Sequence, residues 1–195
     1  MDINIKESYQ FADCFDIHLD GVKFEKTDRN IISSAFFSLC LEYHRSVIVL
    51  VEKKLYGAAG ALLRSLFESY VKGLWFYSCA KDKDFNDLKK DKFNTTFYKI
   101  VEDIEKECGN GLSKPKTENW SALNSLTHSG LLQVGRRVNG SVIQSNYDEG
   151  FIRDMLSFSN NYALLSAGEL AKISNDSSAQ KCVLDVAQKL NQNIS

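Results

Sequence analysis

A single proline, Pro115, occurs in a chain of 195 residues. Proline interrupts helices because it lacks a backbone N–H and because its ring collides with the preceding turn. Through most of the sequence, apolar residues recur three or four positions apart, which is the spacing of helices with one buried face. With 44% apolar and 25% charged residues, the chain is long and apolar enough for a packed core. We therefore predict a single all-α domain over residues 1–195.

The spacing predicts a bundle of four or five principal helices with shorter peripheral ones. The expected helices cover residues 5–19, 27–51, 57–80, 81–108, 117–130, 148–170 and 177–190. Thr27 or Asp28 is the expected cap of the second helix, and Thr117 that of the fifth. Glycine and proline predict a loop over residues 109–115. The Asn139-Gly140 pair predicts either a short hairpin or a loop.

Charge and the N-terminal sequence restrict the class of partner and the compartment. The chain has 24 Lys and Arg residues against 25 Asp and Glu residues, a formal net charge of -1. No overall field attracts nucleic acid or an anionic membrane, so any nucleic-acid site must be local. The sequence has no basic segment followed by an apolar run at its start, and no stretch approaches about 18 uninterrupted apolar residues. These features predict a cytoplasmic protein without a membrane-spanning segment.

Five cysteines are scattered along the chain. Their number is odd, and their spacing includes no Cys-x-x-Cys pair or other metal-ligand pattern. We predict reduced thiols, with no metal site and no cofactor. The sequence also lacks a P-loop, a GxGxxG turn, a HExxH helix and a GxSxG elbow, which argues against conventional ATP-binding and hydrolase folds.

The predicted central helix carries a charged pair beside its apolar face. At 100° per residue, Arg64 and Glu68 lie on one narrow stripe. The same stripe includes Gly57, Gly60, Val71 and Trp75. Because glycine costs about 1 kcal/mol relative to alanine inside a helix, glycines at 57, 60 and 73 predict close approach of another backbone or of a ligand. The pair is either part of a functional site or an i,i+4 ion pair that satisfies only itself.

A histidine near the C-terminus of the short helix is the second candidate for chemistry. His128 has Asn124 one turn before it on the same face. The helix dipole favours the protonated form of a histidine at this end, which suits a general acid or a phosphate contact. The alternative is a capping histidine bonded to a carboxylate such as Glu68.

Four basic residues flank His128 in the sequence: Lys114, Lys116, Arg136 and Arg137. Together they predict positive charge around one end of the bundle, which would suit a phosphate group. The alternative is that these side chains are simply solvated.

Several short segments carry a family resemblance. They are YHRS at 43–46, GAA at 57–59, LLRSLFE at 62–68, GLW at 73–75 and LTHSG at 126–130. Over about residues 30–172, these segments resemble a group of bacterial helical proteins distantly similar to the HEPN superfamily. HEPN domains are helical bundles, usually dimeric, and many are metal-independent endoribonucleases in phage defence or toxin–antitoxin pairs. The resemblance implies an HEPN-like bundle.

The HEPN signature is an arginine, a polar residue and a histidine four positions after the polar one. Asn124 and His128 match the last two positions, while Leu123 stands where the arginine is expected. Arg64 on the central helix is the candidate to supply the missing guanidinium, provided that the fold brings it beside His128. His128 would then assist attack of the ribose 2′-hydroxyl on the phosphate, and Arg64 would stabilise the developing charge.

The sequence thus yields a set of site residues and two competing functions. The predicted catalytic residues are His128, Arg64, Glu68 and Asn124, and the predicted substrate-binding residues are Arg136, Arg137, Trp75, Ser129 and Lys72. The resemblance implies RNA or a nucleotide as substrate, a homodimer, and a protein partner from the same defence system. The competing hypothesis is a non-catalytic scaffold or antitoxin-like protein with a structural Arg-Glu-His network. A small-ligand pocket beside Trp75 and Gly73 is a third hypothesis.

Overall fold

The protein, seen here as a computed structural model, is described over residues 5–109 and 111–192 and is built of α-helices with one small hairpin. The helices are α1 (Ile5–Leu19), α2 (Asp28–Glu52), α3 (Tyr56–Ser78), α4 (Asp82–Lys89), α5 (Phe97–Cys108), α6 (Ser113–Thr127), α7 (Leu131–Val134), α8 (Glu149–Ser174) and α9 (Ser177–Gln192). Strands β1 (Val138–Asn139) and β2 (Val142–Ile143) pair antiparallel, so of the two alternatives for the Asn-Gly pair the hairpin is the one formed. The all-α bundle is confirmed.

Helix α3 forms the centre of the bundle. It packs against α2, α5, α6 and α8. Phe67 of α3 is almost completely buried, and its ring centroid lies 4.9 Å from that of Tyr162 on α8 and 5.7 Å from that of Phe97 on α5. Burying one such side chain contributes about 1.5–3 kcal/mol, so these contacts fix α3 between its neighbours.

Two predicted helix boundaries are wrong, and the backbone shows why. The segment 81–108 forms two helices instead of one, because the chain turns between them at Asp91, whose φ is +55°. Helix α6 begins at Ser113 rather than after Thr117, so Pro115 lies in its first turn. The first backbone N–H groups of a helix have no intrahelical partner, which makes proline acceptable there. The predicted cap Thr27 is confirmed, since its side chain accepts a hydrogen bond from Asn30 N.

Helix α2 meets the length and hydropathy criteria for a membrane-spanning helix, although the sequence analysis predicted no such segment. By length and composition alone it is able to cross a membrane, with a mean hydropathy of 1.3 over its most apolar window. Helices at the core of a packed domain have the same composition, and α2 contacts both α3 and α8 along its length. Its buried side chains include Val47, Ile48 and His44.

The prediction that all cysteines are free thiols is wrong. Cys14 on α1 and Cys182 on α9 are joined in a disulfide, whereas Cys40, Cys79 and Cys108 are free. The two bonded residues are 168 positions apart in sequence. Only the packing of α1 against α9 brings them together, which no local spacing pattern reveals.

Side chains, rather than a backbone or a ligand, approach the glycines of α3. A Cβ at Gly60 would lie 3.5 Å from Leu126 and Met155, which is ordinary contact. At Gly73 the phenyl ring of Phe37 occupies the space, and a Cβ would lie 2.6 Å from its Cε1 atom. Phe37 is fully buried. Gly73 is therefore required by the packing of α2 on α3.

We expect Gly168→Ala to raise the free energy of unfolding, and Gly73→Ala to leave it unchanged or lower it. Both positions gain about 1 kcal/mol of helix propensity from alanine. A Cβ at Gly168 meets nothing closer than 3.8 Å, so that gain remains, whereas at Gly73 the clash adds an overpacking cost of about 1–3 kcal/mol. In urea unfolding, the free energies of unfolding of the two variants should differ by that overpacking cost. Equal stabilities would contradict the packing of Phe37 against Gly73.

Candidate functional site

Arg64, Glu68 and His128 meet at the contact between α3 and α6. Arg64 Nε donates to Glu68 Oε1 at 2.7 Å, which confirms the predicted i,i+4 pair. Arg64 Nη1 lies 2.6 Å from His128 Nε2, across the gap between the two helices. The partner of His128 is thus the guanidinium, and the carboxylate of Glu68 is linked to the histidine only through Arg64. We call these three residues the Arg64 cluster.

Trp120 supports the Arg64 cluster from α6. The guanidinium carbon of Arg64 lies 4.8 Å from the centroid of the Trp120 ring, a cation–π distance. The same indole is stacked on Phe97, with ring centroids 4.7 Å apart and planes 8° from parallel. Trp120 is a site residue that the sequence reasoning missed. The signal was its spacing, since residues 120, 124 and 128 recur every four positions on one helix face.

The contact with Arg64 gives the His128 side chain a defined hydrogen-bonding role. A guanidinium has only donors, so His128 Nε2 accepts from Arg64 Nη1 in this contact. The backbone N–H of His128 bonds to Asn124 O and caps the C-terminus of α6. His128 therefore links the end of α6 to α3 through its side chain.

The residues around His128 in the chain shape the end of α6. Ser129 has a φ of +53°, and its left-handed conformation ends the helix. Gly130 then passes so close to α6 that a Cβ there would lie 2.9 Å from Ser125 Cα. One turn earlier, Asn124 O accepts the backbone N–H of His128, while Asn124 Oδ1 is buried without a hydrogen-bond partner among the described residues.

Of the predicted substrate-binding residues, the structure brings Lys72 next to the cluster and keeps Trp75 away from it. Lys72 Nζ lies 3.4 Å from Glu68 Oε2, one turn along α3. Trp75 is buried, and its indole N–H donates to Asp103 Oδ2 at 3.2 Å. Its ring packs against that of Phe93. Trp75 therefore belongs to the contact between α3 and α5, and its N–H already has an acceptor.

Two of the basic residues flanking His128, Arg136 and Lys116, are held by local contacts. The guanidinium of Arg136 lies 4.0 Å from the ring centroid of Phe151, and its Nη1 donates to Leu132 O at 3.1 Å. Lys116 Nζ lies 4.3 Å from the ring centroid of Tyr98. Arg137 is exposed in the turn before β1. None of these contacts joins the Arg64 cluster, so the predicted ring of charge is not formed by direct contact among the described residues.

The Arg64 cluster is open to solvent on one side. Arg64 and Glu68 keep 24% and 22% of their side-chain surface exposed, Lys72 keeps 32%, and His128 is exposed. The two contacts of Arg64 use two of its five N–H donors, which leaves three for another group. Arg64 and Lys72 together outweigh Glu68 by one positive charge, although the whole chain is at -1. The arrangement suits a monovalent or divalent oxyanion such as phosphate.

Residues 37–195 match DUF6988, a family of unknown function. The chain belongs to the DUF6988 family. The matched region contains the whole Arg64 cluster and Trp120, whereas Cys14 lies before it. No curated protein and no solved structure matches this DUF6988 protein.

Proposed function

We propose that this DUF6988 protein binds RNA at the Arg64 cluster and cleaves it without a metal ion. The proposal describes a cytoplasmic, HEPN-like protein of a defence or stress system. The observation that carries it is the approach of Arg64 and His128 to 2.6 Å from two different helices, at a position that solvent reaches. Cleavage by an internal hydroxyl needs a proton acceptor beside a group that stabilises phosphate charge, and these two side chains supply both.

The proposed reaction begins when an RNA phosphate takes the place of His128 as an acceptor of Arg64 Nη1. This frees the lone pair of His128 Nε2, which accepts the proton of the adjacent 2′-hydroxyl. The 2′-oxygen then bonds to phosphorus, and the bond from phosphorus to the 5′-oxygen breaks. The leaving oxygen takes a proton from water while His128 releases its own. The products carry a 2′,3′-cyclic phosphate and a 5′-hydroxyl.

Glu68 and Trp120 are positioning residues in this proposal. Glu68 holds Arg64 Nε at 2.7 Å, and the Trp120 ring lies under the guanidinium. Together they fix the orientation of Arg64 without using its remaining donors, which are available to phosphate oxygens. Lys72 adds a second positive charge on the same side of α3. The HEPN-like resemblance supports a homodimer as the active assembly and a protein of the same system as its partner.

RNA binding by Arg64→Gln and Arg45→Gln variants tests the location of the site. Arg45 is a matched control because it is also a helical arginine with carboxylate partners, 2.6 Å from Asp13 and 3.0 Å from Asp16. We expect Arg64→Gln to weaken binding about 10- to 100-fold, the value of a charge-assisted contact, and Arg45→Gln to leave it unchanged. Fluorescence anisotropy with a labelled single-stranded RNA measures both. Equal losses would remove the Arg64 cluster as the site.

A second candidate function rests on the same contacts. Glu68, His128 and Trp120 all contact Arg64, so the cluster also holds α3 and α6 together, and we call this role the latch. A scaffold or antitoxin-like protein would need only this latch. In that case the wild-type protein binds no RNA, and Arg64→Gln lowers the free energy of unfolding without changing any RNA signal.

A further inference from the structure

A group of metal-ligand side chains lies far from the Arg64 cluster, where α1 packs against α9. Cys14 and His18 are one turn apart on α1, and Cys182 faces them from α9. One ligand atom from each residue lies within 4.8 Å of the others. Cys182 is buried, whereas Cys14 and His18 are half-buried. Sequence spacing failed to show this group because Cys182 is more than 160 positions away from the other two.

We propose that Cys14, His18 and Cys182 bind a zinc ion in the reduced protein. Two thiolates and one imidazole are a ligand set that zinc accepts, and it leaves one of the four coordination positions open. Harder cations such as magnesium and calcium prefer oxygen ligands, so this donor set selects against them. The site is independent of the proposed RNA chemistry, since none of its residues contacts the Arg64 cluster.

The surroundings of His18 resemble those of a metal-binding histidine. His18 Nδ1 lies 3.0 Å from Ser178 Oγ on α9. A partner at one ring nitrogen fixes the orientation of the imidazole and leaves the other nitrogen available as a ligand. His18 and Ser178 also line a surface cleft of about 530 Å³, together with Asp176 and Asp20. This cleft gives a metal ion and a water molecule a route to the open position.

The zinc site and the disulfide are two states of the same pair of cysteines. A phosphine reductant and one water molecule convert the disulfide to two thiols, and the phosphine leaves as its oxide. Zinc then displaces the two thiol protons. Two zinc–sulfur bonds of about 2.3 Å in a tetrahedral site place the sulfurs about 3.8 Å apart. The Cα atoms are already 6.5 Å apart, so a small side-chain movement is enough to accommodate the ion.

Cobalt(II) titration of the phosphine-reduced full chain tests the proposal, because cobalt takes zinc sites and reports thiolate ligands by colour. We expect one cobalt per chain, a thiolate-to-cobalt charge-transfer band, and displacement of cobalt by zinc. Cys182→Ser should abolish the band, and His18→Ala should weaken binding more than 100-fold. Ser178→Ala, which removes the hydroxyl beside the His18 ring but none of the three ligands, should weaken cobalt binding about 10- to 100-fold.

Cys108→Ser is the matched control, because Cys108 is a free and exposed cysteine outside the group. The Cys108→Ser variant should bind cobalt as the reduced wild type does, whereas the oxidised wild type should not bind cobalt. Circular dichroism verifies that each variant is folded, and His18→Ala tests the site even if Cys182→Ser unfolds. Absence of the thiolate band in the reduced wild type would overturn the proposal. A band that is unchanged in His18→Ala would overturn the assigned ligand set.

Discussion

Replacing His128 with alanine is expected to slow RNA cleavage about 10²- to 10⁴-fold while changing RNA affinity less than about threefold. The reason is the division of roles in the Arg64 cluster. In the proposed reaction His128 Nε2 accepts the proton, whereas the positive charge that would attract phosphate belongs to its neighbours Arg64 and Lys72. The variant should remain folded, because His128 is exposed and caps α6 through its backbone N–H, which alanine retains.

The assay uses a panel of single-stranded and hairpin RNAs in excess EDTA, with the rate and the chemical ends of the products as readouts. Products with a 2′,3′-cyclic phosphate support attack by the 2′-hydroxyl. Ser121→Ala is the control, because Ser121 is an exposed residue of the same helix that has no role in the cluster. It should cleave at the wild-type rate.

Two results would count against the ribonuclease proposal. Cleavage that persists unchanged in His128→Ala would come from a contaminating nuclease or from another site. No cleavage of any RNA in the panel by the wild type would leave the latch between α3 and α6 as the role of these residues.

Arg64→Lys separates the two functions further. Lysine keeps the charge but lacks the fork that contacts Glu68 and His128 at once.

What the sequence predicted well depended on local periodicity. The pairing of Arg64 with Glu68 follows from a four-residue spacing on one helix, and the structure contains it at 2.7 Å. The cap at Thr27 was predictable for the same reason, because its side chain bonds a backbone N–H three residues later. Contacts of this kind can be predicted without knowing how the helices pack.

What the sequence left open depended on the packing of helices that are distant in the chain. The contact of Arg64 with His128 spans 64 positions, and it exists only because α6 lies against α3. The disulfide between Cys14 and Cys182 was missed in the same way. Pairwise contacts of this kind are set by tertiary structure, not by spacing.

Lowering the pH from about 7 to about 4.5 is expected to cost the folded protein about 2–3 kcal/mol through one residue, His44. His44 is 1% exposed within α2, and its Nδ1 lies 2.9 Å from Ser159 Oγ on α8. Its Nε2 is buried and has no hydrogen-bond partner among the described residues. Burial, the main cause, and the positive charge of Arg45, the second, together lower the pKa of His44 from 6.5 to about 3.

The sign of the effect follows from where the proton binds. Below about pH 6.5 the unfolded chain takes up a proton on His44, whereas the folded protein keeps the imidazole neutral down to about pH 3. Protons therefore favour the unfolded state throughout this range. The contribution of a neutral, buried His44 to stability is complete above pH 6.5 and decreases by about 1.4 kcal/mol for each pH unit below it.

Urea unfolding at the two pH values measures this loss, and two variants assign it. His44→Gln keeps an amide that can bond Ser159 but does not titrate, so its loss of stability between the two pH values should be about 2–3 kcal/mol smaller than that of the wild type. Ser159→Ala removes the partner but leaves the titrating group, so it should lower stability by about 1–3 kcal/mol at both pH values. If His44→Gln loses as much stability on acidification as the wild type, another group is responsible, and His44 is not the residue through which acid destabilises the core.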